Sequence, residues 1–102
     1  MALDFCIKNN HDIVIHKISI SLDDFYDMIE VAKNFNPPLV LIDRLKDYYE
    51  DAEFFTSELN ELKEQFLQVY KKSDEKLKII QKLILLFDLA MLYNTSINVI
   101  SD

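Results

Sequence analysis

The chain has 102 residues, half of them hydrophobic, with a net charge of −7, one cysteine and no glycine. A chain of this length forms one domain, residues 1–102, and buries roughly two thirds of the surface its unfolded form exposes, so neither a metal nor a disulfide is needed to hold it. The charge argues against nucleic acid as the ligand, because phosphate binding relies on Lys and Arg. The lack of glycine excludes Walker, Rossmann and kinase-type phosphate loops, whose backbone needs it to turn sharply or approach a ligand.

Residues 3–8 alternate Leu3, Phe5 and Ile7 with Asp4, Cys6 and Lys8, the pattern of a strand with one buried face. Asn9, Asn10, His11 and Asp12 supply a turn without glycine, since Asn and Asp tolerate left-handed backbone. Residues 13–20 are rich in β-branched side chains and predict the second strand of a hairpin. Val14, His16, Ile18 and Ile20 share one face of it while Ile13 and Ile15 lie on the other, which leaves either a bulge or burial on both faces. Cys6 reads as a packed strand residue. The lone cysteine has no internal partner, and the first ten residues have neither the basic start nor the apolar run of a secretory signal, so a reduced, cytoplasmic setting is expected.

Ser21 with Asp24 three residues later predicts a helix start, favoured by the early negative charge of Asp23 and Asp24. That helix runs from Leu22 to about Phe35, burying Leu22, Phe25, Ile29 and Ala32, with Met28 and Phe35 as further inward candidates, and Asn36-Pro37-Pro38 ends it. A second helix is expected over about Pro38 to Asp51, with Leu41, Leu45, Tyr48 and Ala52 inward and Asp43, Asp47, Glu50 and Asp51 outward. After a junction at 53–56, Ser57 is the expected N-cap of a third helix reaching about Lys72 and burying Leu59, Leu62, Phe66, Val69 and Tyr70. Ser73 and Asp74 then open the stretch around which the chain is organised, Leu77 to Tyr93. Its apolar residues cover nearly every direction of a helix, which predicts burial all round. It is too short and too interrupted for a membrane span, which needs about 20 mostly apolar residues. Asn94-Thr95-Ser96 stops it, and residues 97–100 read as a strand returning to the hairpin. The order β-β-α-α-α-α-β predicts an α+β domain, with hairpin and C-terminal strand in one small sheet packed by about four helices.

Residues 22–64 hold twelve Asp or Glu against four Lys or Arg, a net of −8, so the acidity belongs to the first three helices. Its densest part is Asp43, Asp47, Glu50, Asp51 and, just beyond, Glu53, with Tyr48 and Tyr49 adjoining. Two neighbouring tyrosines on a helix point about 100° apart, so Tyr49 can reach the rim while Tyr48 packs. Asp23, Asp24 and Asp27 form a second acidic patch. Each residue taken singly also fits a plain solvated helix face. Together they fit a docking surface for a basic protein, where complementary charge speeds encounter and fixes orientation. His11 and His16 are too isolated for a zinc motif, and the spacing of Asp43 and Asp47 is ordinary on a surface helix, so no metal or other cofactor is expected. Nucleophilic catalysis would have to rest on Cys6 with His11 or His16 across the hairpin, which is poor support for an enzyme.

The opening Leu3-Asp4-Phe5 with Ile7, the second strand running into a Leu-Asp helix, and the segment Leu45-Lys46-Asp47-Tyr48-Tyr49-Glu50-Asp51-Ala52-Glu53 resemble small acidic bacterial immunity proteins of contact-dependent or polymorphic toxin systems. The resemblance implies a cytoplasmic protein that binds and blocks one cognate toxin domain, usually a nuclease, with no catalytic residue of its own. The expected function is therefore inhibition of a basic toxin domain through Asp43, Asp47, Tyr49, Glu50, Asp51 and Glu53, with Asp23, Asp24 and Asp27 as the second patch. The alternative is a small cytoplasmic adaptor or regulatory subunit that self-associates as a homodimer.

Overall fold

Two strands begin the chain, β1 (Ala2–Lys8) and β2 (Val14–Ser21), paired antiparallel from Ala2 opposite Ser21 to Lys8 opposite Val14. They belong to a computed structural model that describes residues 2–46 and 51–101. The connecting turn is held by the Asn9 side chain, whose Oδ1 accepts from the amides of His11 (2.9 Å) and Ile13 (3.0 Å), while Asp12 takes the left-handed conformation at φ 63°. Ile7 faces His16 but Lys8 faces Val14, so β2 carries one extra residue and the register shifts there. This bulge resolves the ambiguity of residues 13–16: those before it no longer continue the alternation of those after it.

The remaining strands are β3 (Ala52–Phe54) and β4 (Ile97–Ser101), and the sheet order is β2-β1-β4-β3 with every neighbouring pair antiparallel. β4 returns to the hairpin, as the sequence predicts, and pairs with β1 so that Val99 lies opposite Phe5. β3 replaces the expected junction at 53–56; Phe54 sits opposite Ile97 and is fully buried. Leu3, Phe5 and Ile7 point into a core shared with Ile20, Ile97 and Val99. At its centre the rings of Phe5, Phe66 and Phe87 lie 5.4–6.3 Å apart, joining the sheet to two helices.

Those helices are α3 (Leu59–Lys72) and α4 (Ile79–Leu92), preceded by α1 (Leu22–Ala32) and the short α2 (Val40–Asp43). The class is α+β, with four helices and a four-stranded antiparallel sheet among the described residues. α1 begins as expected, Ser21 Oγ accepting from the Asp24 amide at 3.2 Å, and buries Phe25 and Met28. α2 ends far short of Asp51. Its first amides, Leu41 and Ile42, donate to Oε1 of Gln65 (3.0 and 3.1 Å), a residue of α3 that is only 5% exposed. Beyond Asp43 the hydrogen bonds tighten to a three-residue spacing, Arg44 to Leu41, Leu45 to Ile42 and Lys46 to Asp43, which closes the helix.

α3 is entered through a single 3-10 turn (Thr56–Glu58) and takes Glu58, not Ser57, as its N-cap. Ser73 and Asp74 do not open α4; they close α3. The Glu75 amide donates to Tyr70 and the Asp74 amide to Lys71, with Asp74 and Glu75 left-handed at φ 56° and 61°. The same pattern closes α4: Thr95 donates to Ala90 and Asn94 to Met91, with Asn94 at φ 55°. Both are the helix-ending arrangement that usually recruits glycine, here met by Asp, Glu and Asn. α4 buries Ile80, Leu83, Leu86, Phe87 and Ala90, but it is not covered all round: Leu85 is 69% and Leu92 78% exposed. The reason is its place beside β2, the edge strand, beyond which no further strand packs among the described residues. Among those residues, no helix is long and apolar enough to cross a membrane.

Candidate partner-binding surface

α1 turns Phe25 and Met28 inward, with Ile29 and Ala32 packed against the core, so its other side is exposed. Asp23, Asp27 and Glu30, at helical spacings of four and three, share that side. Tyr26 stands among them, 54% exposed, its ring 5.8 Å from that of Phe25. An aromatic held by a buried neighbour and bordered by carboxylates offers a partner apolar area and negative charge in one place. Glu30 is paired with Lys33 at 3.2 Å, both well exposed. Asp24, half-buried, borders a hollow shared with Asp27, Lys76, Lys78 and Lys82, so the patch changes sign toward α4.

The other expected patch is not one helical stripe. Asp43 ends α2 and is exposed, with Lys46 at 3.7 Å. Asp51 and Glu53 belong to the β3 region, where they serve the sheet: Asp51 Oδ1 accepts from the Ser101 amide and Glu53 Oε2 from the Ser96 hydroxyl, each at 3.0 Å. Asp47, Tyr49 and Glu50, with Tyr48, lie outside the described residues. Tyr26 and Glu30 are the members of the exposed surface that the sequence reading overlooked. Their signal was available, since they fall at helical spacing from Asp23 and Asp27 on a helix whose start was already clear.

A bidentate ion pair joins the end of α2 to the turn before α3. Arg44 Nη1 and Nη2 donate to Glu58 Oε1 and Oε2 at 3.0 and 2.7 Å, Nη1 also donates to the Glu53 carbonyl, and the guanidinium lies over the Phe54 ring. The hydrogen bonds from Arg44, and then that from the Phe55 amide, hold the Glu58 carboxyl below the ordinary carboxylate range; the same pair raises Arg44.

Comparison of the chain with family models, with curated proteins and with solved structures finds no match. The chemistry of the chain therefore rests on its own residues. Cys6 is buried on β1 opposite Lys17, whereas His16 stands opposite Ile7, so the cysteine and that histidine project to opposite faces of the sheet. Histidine 16 instead stacks on Tyr93, ring centres 6.2 Å apart. Among the described residues, no three His, Cys, Asp or Glu side chains converge to hold a metal ion.

Proposed function

We propose that this is a cytoplasmic, immunity-type binding protein that inhibits a cognate basic toxin domain, a nuclease, by laying an acidic surface over its phosphate-binding ground. The observation that carries the reading is the exposed side of α1, where Tyr26 is bordered by Asp23, Asp27 and Glu30. A nuclease is basic where it holds phosphate, and fixed carboxylates occupy the same field. Tyrosine supplies contact area at small conformational cost, which gives such a surface specificity as well as charge. The likeness of residues 45–53 to immunity proteins supplies the class of partner. Asp43, and Asp47, Tyr49 and Glu50 of that segment, extend the proposed contact.

The test is titration of the purified chain against the basic nuclease domain encoded in the adjacent reading frame, reading both affinity and residual nuclease activity. Stoichiometric binding that silences the nuclease is the expected result. Tyr26→Ala should weaken it by about 2 kcal/mol. Asp23→Asn with Asp27→Asn should weaken it further and flatten its dependence on salt, with helical content unchanged. Binding that is indifferent to all three substitutions would remove α1 from the contact, and an uninhibited nuclease would end the immunity reading.

A further inference from the structure

α4 carries a row of side chains that none of the other helices covers. Lys82, Leu85, Leu89 and Leu92 follow one another at spacings of three and four; Leu85 and Leu92 are largely exposed and Leu89 is half-buried. The row flanks the outer edge of β2, and Ile18, Lys17 and Lys82 line a shallow hollow with Leu85 and Leu89 between strand and helix. β2 is the terminal strand of the sheet, eight residues long, and among the described residues nothing pairs with its outer backbone. An open strand edge beside an apolar helical row is the arrangement that accepts an added strand, backbone to backbone, with alternate side chains entering the hollow.

Charge decides what kind of strand. The ion pairs among the described residues are Lys8–Asp12, Lys33–Glu30, Arg44–Glu58, Lys46–Asp43 and Lys63–Asp88, which leaves Lys17 and Lys82 uncommitted within this set. Both stand at the hollow of a chain whose net charge is −7. Lys17 lies opposite Cys6 and Ile18 opposite Phe5, so lysine and isoleucine belong to alternate faces of the edge strand. A second copy is a poor occupant: β2 reads VIHKISIS and contains no carboxylate, so no register of β2 against itself neutralises Lys17. We propose that the β2 edge and the leucine row of α4 receive an extended segment of a partner protein in which apolar residues alternate with Asp or Glu. The apolar residues pack on Ile18, Leu85 and Leu89 while the acidic ones, on the other face of the added strand, meet Lys17. A lysine in mid-edge commonly guards against indiscriminate pairing; here it also selects the sign of the strand it admits. The surface meets the α1 patch only at Lys82, which also borders the hollow of Asp24 and Asp27, and the proposal does not depend on inhibition of a toxin.

The full chain is titrated, by fluorescence anisotropy, into a labelled eight-residue peptide of alternating valine and glutamate. Parallel titrations use a valine-lysine peptide and the valine-glutamate peptide N-methylated at alternate amides. The glutamate peptide is expected to bind at least about tenfold more tightly than the lysine peptide, equivalent to about 1.4 kcal/mol, and N-methylation on the pairing edge to abolish binding. Lys17→Glu should invert the preference, and Leu85→Ser should weaken binding to either peptide with an unchanged melting curve, both positions being exposed. Equal affinity for the two charged peptides, or no binding at millimolar concentration, overturns the proposal. So does a dimer in sedimentation that Leu85→Ser dissociates, which would give the face to a second copy.

Discussion

Arg44 and Glu58 illustrate how one ion pair sets local chain direction. The guanidinium ties the end of α2 to the Glu53 carbonyl of β3 and to the turn before α3. Because the folded pair holds the Glu58 carboxyl below its unfolded range of about 4.3, its stabilisation is complete above that range and is lost as pH falls through the lower folded value. Arg44 is more than a third exposed, so water screens the pair and its worth at neutral pH is about 1 kcal/mol at most. Glu58→Gln keeps an acceptor for the Phe55 amide while removing the charge. Urea unfolding should show the variant less stable than the parent at neutral pH, with the difference closing in acid; a difference that persists below pH of about 3 would assign the effect to packing instead. In the sequence this pair was invisible, since its members lie fourteen positions apart and only the tertiary fold brings them together.

At the scale of elements, the glycine-free chain ends its two long helices on residues with a Cβ in left-handed conformation. Asp74 and Asn94 are types that tolerate this, but Glu75, at φ 61°, is not. Glu75→Gly should therefore stabilise the protein by about 0.5–1 kcal/mol, and Glu75→Val should destabilise it by a similar amount or more, both read from thermal unfolding. α1 and α3 were legible because their caps and periodic apolar residues are local: Ser21 with Asp24 at one, and Leu59, Leu62, Phe66, Val69 and Tyr70 along the other. α2 was misread as a long helix for the same reason. Leu41, Leu45 and Tyr48 keep a helical period, while the helix closes after Asp43 in three-residue hydrogen bonds and β4 claims Ala52–Phe54 as a strand. The alternation Ala52-Glu53-Phe54 was present but is three residues long, too brief to outweigh a helical pattern.

For the molecule as a whole, the layering of helices on one sheet makes neighbouring leucines of α4 unequal. Leu83 is fully buried and Leu85 is not. Leu83→Ala should cost about 2–5 kcal/mol in urea unfolding, whereas Leu85→Ala should stay within about 0.5 kcal/mol; equal losses would mean that α4 is covered on both sides. The acidic candidates are likewise distributed by the fold. Asp23 and Asp27 share an exposed helix face with Tyr26, while Asp51 and Glu53 sit at a sheet edge with hydrogen bonds to β4 and Ser96. The sequence by itself determined the hairpin, the return of the C-terminal strand, the starts of α1 and the core of α3, and the α+β class, because turn chemistry, capping and hydrophobic period act over a few residues. Only the tertiary structure decided where α2 stops, that β3 exists and which side of α4 stays open. These depend on partners more than 20 residues away in sequence, β4 for Ala52–Phe54 and the β2 edge for α4, which no local pattern encodes.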